Sequence, residues 1–73
     1  MIFKEYVKGL NKLLAERPET GELETISSAD DEGNDFIIIN YDPSVGHFDQ
    51  NERGFTPEGD EDFDGVLNAV CIN

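Results

Sequence analysis

Within the first seventeen residues, MIFKEYVKGLNKLLAER, the apolar side chains Ile2, Phe3, Tyr6, Val7, Leu10, Leu13 and Leu14 recur at steps of three and four. That spacing predicts an amphipathic helix with one apolar stripe, which a second layer of structure must cover. Pro18 should end it, since a proline disfavours helical geometry at the residue before it. Arg17 then stands at the negative end of the helix dipole. Gly9 weakens the middle by about 1 kcal/mol relative to alanine, which would suit close packing on a strand. Lys4, Lys8 and Lys12 follow one another at steps of four and read as a solvated face, with ion-pair partners expected in acidic loops.

The remaining sequence offers strands to supply the second layer. GELETISS, residues 21 to 28, alternates imperfectly, as a twisted or bulged strand would. ADDEGND is a turn by composition, with Gly33 and Asn34 tolerant of positive φ. DFIIINY has three consecutive isoleucines, which predicts a central strand buried on both faces. From Asp42 to Gly65 the prolines and glycines suggest a long irregular connection, with a short strand around Val45 to Phe48. LNAVCIN ends the chain as a strand. The expected fold is α+β: an N-terminal amphipathic helix packed on a small, mainly antiparallel sheet of three or four strands, in a single domain spanning residues 1–73.

A domain of 73 residues lies near the lower limit for an adequate core without disulfides, metal or a partner subunit. Cys71 is the only cysteine, so no internal disulfide forms, and no stretch reads as a signal peptide. A reducing cytoplasm is the expected location. The longest purely apolar run, Phe36 to Ile39, is far short of the roughly 20 residues of a membrane-spanning helix.

Charge narrows the partners. Seventeen carboxylates against five Lys and Arg give a formal net charge of −12. Residues 1 to 17 carry four cations and two anions, a net +2, whereas residues 18 to 73 carry fifteen anions and only Arg53, a net −14. Such a field repels nucleic acid and anionic lipid and attracts basic protein surfaces. Direct nucleic-acid binding and membrane binding are therefore not expected.

One stretch resembles defined metal chemistry. Asp60, Asp62, Asp64 and Gly65 match positions 1, 3, 5 and 6 of a calcium loop, but position 12 is Cys71 where a bidentate glutamate is required. Asp60, Asp62 and Asp64 are thus a weak alternative as metal ligands, and an acidic loop feeding a strand is the better reading; no metal or other cofactor is expected. Catalytic readings are thin as well. His47 is the sole histidine, Cys71 has no basic neighbours to stabilise a thiolate, and no phosphate loop, zinc spacing or nucleophile elbow occurs. No catalytic residue is assigned.

What remains is a surface. Asp49, Glu58, Asp60, Glu61, Asp62 and Asp64 are interleaved with Phe55 and Phe63, and Asp30, Asp31, Glu32 and Asp35 crowd the earlier turn. Aromatic anchors within an anionic rim suit a basic protein partner, the rings giving desolvated contact and the carboxylates steering encounter. Carboxylates arranged like backbone phosphates can also fill a DNA-binding groove, which is DNA mimicry.

The strings DDEGN (30 to 34), YDPSVGHFD (41 to 49) and NAVCIN (68 to 73), behind the LNKLLAERPE helix, resemble small acidic accessory proteins of tailed bacteriophages. The resemblance implies no catalytic residues. It implies host takeover or defence evasion in the infected bacterial cytoplasm through binding of a host protein, and the acidic surface makes a basic, nucleic-acid-binding one the expected partner. The alternative is a small structural or regulatory phage protein whose charge serves solubility and which acts through its helix or a sheet edge, as a homodimer or larger homo-oligomer.

Overall fold

The computed structural model describes residues 1 to 72. The chain is α+β, with one α-helix and five short antiparallel strands among the described residues. It forms two compact units, Met1–Ile38 and Ile39–Asn73.

The first unit begins with α1, Phe3–Glu16, as the apolar spacing predicts. Its first turn is closed by the Glu5 and Tyr6 N–H groups donating to the Ile2 carbonyl, and its last by the Arg17 N–H donating to the Leu13 carbonyl. The chain then enters a short 3-10 helix, Pro18–Glu22, with proline in the first turn where its missing N–H costs nothing. Thr20 holds this reversal through its hydroxyl and its N–H, both donating to the Arg17 carbonyl. Arg17 itself turns to Glu19, Nε to Oε2 3.0 Å.

A hairpin completes the unit. β1, Ile26–Ser28, pairs antiparallel with β2, Phe36–Ile38, in the register Ile26 to Ile38 and Ser28 to Phe36. The strand expected over residues 21 to 28 is thus confined to its last three residues, because Pro18–Glu22 takes up the 3-10 turn. The expectation of a central, doubly buried strand is also overturned. β2 has β1 as its one neighbour, and Phe36, Ile37 and Ile38 all stay about half exposed. Three apolar residues in a row show that neither face is polar, and that alone does not supply layers to cover both.

The second unit is a three-stranded antiparallel sheet in the order β4-β3-β5, formed by β3 Ser44–Asp49, β4 Gly54–Pro57 and β5 Ala69–Cys71. Gly46 is opposite both Pro57 and Ala69, and Phe48 is opposite Phe55. The short strand expected around Val45 to Phe48 is β3, at the centre of this sheet, and the rest of the segment expected as an irregular connection also contains an edge strand, β4. Pro57 is compatible with that edge because it lies at the strand's end, where its missing donor leaves no gap in the ladder. Asn73, the last residue of the expected terminal strand, lies outside the described residues.

Burial is sparse throughout. No hydrophobic side chain among the described residues is fully buried, and Gly46 is the one residue that is. Its position explains why it must be glycine. A Cβ there would collide with the Thr56 carbonyl oxygen and lie 2.9 Å from both Pro57 Cα and Phe55 Cζ. The absent side chain lets β4 and the Phe55 ring close over β3. Gly9, by contrast, has nothing within 4 Å of a built Cβ, so the close strand packing expected there does not occur.

Candidate functional site

Alternation along β3 puts Ser44, Gly46 and Phe48 on one face of the sheet and Val45, His47 and Asp49 on the other. Phe48 and its cross-strand partner Phe55 share the first face, with Phe55 half-buried over Gly46 and Phe48 retaining 38% exposure. Ser44 and His47 point to opposite sides, so the Ser-His-Asp adjacency of the sequence is no triad.

On the second face the connection from β4 to β5 is clasped to the sheet. His47 Nδ1 is 3.1 Å from the Val66 carbonyl, which can only accept, so the ring donates from that nitrogen. Asp64 Oδ2 stands 3.8 Å from the same nitrogen, while Asp64 Oδ1 accepts the Val66 N–H at 2.9 Å across Gly65, whose φ is 91°. Two residues on, Asn68 extends the β5 pairing with its side chain: Oδ1 accepts the Phe48 N–H at 2.7 Å and Nδ2 donates to the Phe48 carbonyl at 3.1 Å. The amide thus occupies the place of a strand residue. Nothing in the sequence pattern singles out Asn68 for that task.

These contacts sort the acidic residues. Asp30 Oδ1 accepts the Asn34 N–H and Glu32 Oε2 accepts from Asn34 Nδ2, which fixes the β1–β2 turn with Gly33 at φ 71°. Asp49 Oδ1 accepts the N–H groups of Asn51 and Glu52 and shapes the β3–β4 turn. Asp60 Oδ1 accepts the Asp62 N–H. Asp30, Glu32, Asp49, Asp60 and Asp64 are therefore engaged in local turns, the ordinary use of short polar side chains in loops. The carboxylates of Asp31, Asp35, Glu58, Glu61 and Asp62 make no hydrogen bond or ion pair among the described residues.

The structure brings Glu58 to Asp64 together on one loop, with Phe63 half-buried within it. Asp49 and Glu52 lie on the separate turn that begins β4, and Asp30 to Asp35 belong to the other unit. Glu52 joins the unengaged carboxylates, having a backbone N–H bond but no side-chain partner among the described residues. Of the lysines of α1, Lys12 pairs with Glu16 on its own helix at 4.0 Å, and Lys4 and Lys8 have no acidic partner among the described residues. Four-residue spacing along the helix made the internal pair the nearer choice. Asp60, Asp62 and Asp64 belong to no group of three or more ligating side chains that could hold a metal ion among the described residues. Two of these three carboxylates bond to backbone N–H groups instead, which accounts for the aspartate spacing and Gly65 without a cation.

The second unit carries eight carboxylates against Arg53, a formal −7 in 35 residues. Eight carboxylates cannot be balanced by one guanidinium, so the unit is anionic whatever its local pairings. No helix among the described residues is long and apolar enough to cross a membrane. Comparison with protein-family models, curated proteins and solved structures gives no match.

Proposed function

We propose that this chain is a non-enzymatic, acidic protein of phage type that binds a basic host protein, occupying a nucleic-acid-binding surface as a DNA mimic in the bacterial cytoplasm. The observation that carries the reading is the set of carboxylates left without partners among the described residues, Glu52, Glu58, Glu61 and Asp62, in a unit that also holds the partly exposed Phe48 and whose only Lys or Arg is Arg53. Unpaired surface anions steer association with a cationic partner, and a partly exposed ring offers the apolar contact that holds it. The engaged aspartates keep the loop in shape and leave the free ones to bind.

The test is affinity capture from bacterial lysate with the full chain as bait. A nucleic-acid-binding protein should be retained at about 0.1 M salt and released at about 1 M, where the Debye length falls from roughly 10 to 3 Å. Duplex DNA should displace it. The variant Glu58→Gln/Glu61→Gln/Asp62→Asn should lose the capture while keeping its circular dichroism. A partner that ignores salt, DNA and the triple substitution would defeat the reading.

A further inference from the structure

We infer that the bond between Asp64 and Gly65 is a modification site, at which the folded chain rearranges to isoaspartate and so opens the clasp between the β4–β5 connection and the sheet. The inference concerns the second unit alone and does not rest on the proposed function.

Asp64 is the only aspartate in the chain that is followed by glycine. The rearrangement starts when the amide nitrogen of the following residue attacks the aspartate Cγ, and a Cβ on that residue crowds the approach. Gly65 has no Cβ, and open space surrounds the position one would take. Its N–H makes no hydrogen bond among the described residues, so the attacking group gives up no partner.

The carboxyl is held close to that nitrogen. Asp64 Oδ1 accepts the Val66 N–H at 2.9 Å, which folds the side chain forward across the peptide joining Asp64 to Gly65. Reacting groups confined to one short ring need little further ordering. Asp60 makes the same kind of bond, to the Asp62 N–H, but Glu61 follows it, and Phe63 follows Asp62. Asp64 and Gly65 are both exposed on their own unit, which admits the water that the second step consumes.

The steps balance without an oxidant or reductant. A bond forms between Gly65 N and Asp64 Cγ, and one Cγ–O bond breaks. That oxygen leaves as water, with the Gly65 amide proton and one proton taken from solvent. Water then adds to the former main-chain carbonyl carbon of Asp64, and the bond from that carbon to Gly65 N breaks. The main chain now runs through the Asp64 side chain, one methylene longer, and the carboxylate sits on Cα. Oδ1 is no longer placed to accept the Val66 N–H, and the Val66 carbonyl shifts from His47 Nδ1, now 3.1 Å away.

The experiment is warm incubation of the full chain at neutral pH, folded and in guanidinium chloride, followed by trypsin. Residues 54 to 73 contain no lysine or arginine and are released as one peptide. Labelling by a methyltransferase specific for isoaspartyl groups, with electron-transfer fragmentation, then locates the product. In the folded sample isoaspartate should form at position 64 at least about tenfold faster than at 60 or 62. Asp64→Glu, which would need a larger ring, should remove it. The isomerised chain, separated by chromatography, should exchange its Val66 amide faster than the parent. Isoaspartate spread evenly over the three positions, or formed at 64 only in denaturant, overturns the inference, as does an unchanged Val66 amide.

Discussion

Gly46→Ala is the substitution to which the second unit should be most sensitive. The added methyl meets the Thr56 carbonyl oxygen, Pro57 Cα and Phe55 Cζ, and the first two are backbone atoms that cannot rotate away. Relief requires β4 to move off β3. Overpacking of this kind typically costs about 1 to 3 kcal/mol. At 0.05 to 0.15 kcal/mol per residue, a 35-residue unit has only about 2 to 5 kcal/mol of stability to lose. A cost of about 2 kcal/mol would speed hydrogen exchange roughly thirtyfold for amides that exchange when β4 opens. The reporter is the Glu58 N–H, which donates to the Val45 carbonyl at 2.9 Å just beyond Pro57. The Ala29 N–H, which bonds to the Asp35 carbonyl in the first unit, serves as the internal control and should not change. Unaltered exchange at Glu58 would refute the close approach of β4 to β3 and the reason given for glycine at this position.

Two further substitutions probe other parts of the fold. Gly9→Ala should stabilise α1 by about 0.5 to 1 kcal/mol, because the new methyl meets open space and the helix gains propensity; a rise in helical circular dichroism and in the denaturation midpoint is the readout. Asn68→Ala removes both bonds to the Phe48 backbone and should cost about 1 to 2 kcal/mol, less than two buried bonds because water reaches the partly exposed Phe48; faster exchange of the Phe48 amide with little change at Glu58 is the expected pattern.

The helix was legible because its signal is local: seven apolar residues at helical spacing and a proline just beyond its end determine α1 nearly to the residue. The turn from Asp30 to Asn34 was legible for a similar reason, since Asx chemistry and a positive-φ glycine act within a few residues. Pairing was not. The three isoleucines gave no sign that β2 has a single neighbour, because burial depends on layers brought from elsewhere in the chain. β4 hid behind Gly54 and Pro57, residues that punctuate loops but are also allowed at the ends of an edge strand. For the candidate site, the sequence supplied the acidic segments and the phenylalanines. It could not separate Asp60 and Asp64, held by backbone N–H groups, from Glu61 and Asp62, which are not, because that division arises from the folded path of the loop. Asn68 reads as an ordinary polar residue until β3 lies beside it.

The scarcity of burial reaches into how the protein answers temperature. Heat-capacity change on unfolding grows with the apolar area newly hydrated, and here Ile26, Phe36, Ile38, Leu23 and Tyr41 are already more than half hydrated in the native state. The curve of free energy against temperature is accordingly flat for each unit alone, with a small transition enthalpy and a melt spread over tens of degrees. Warming loosens such a molecule by degrees, and sharp cooperative melting would have to come from whatever layer covers its helix.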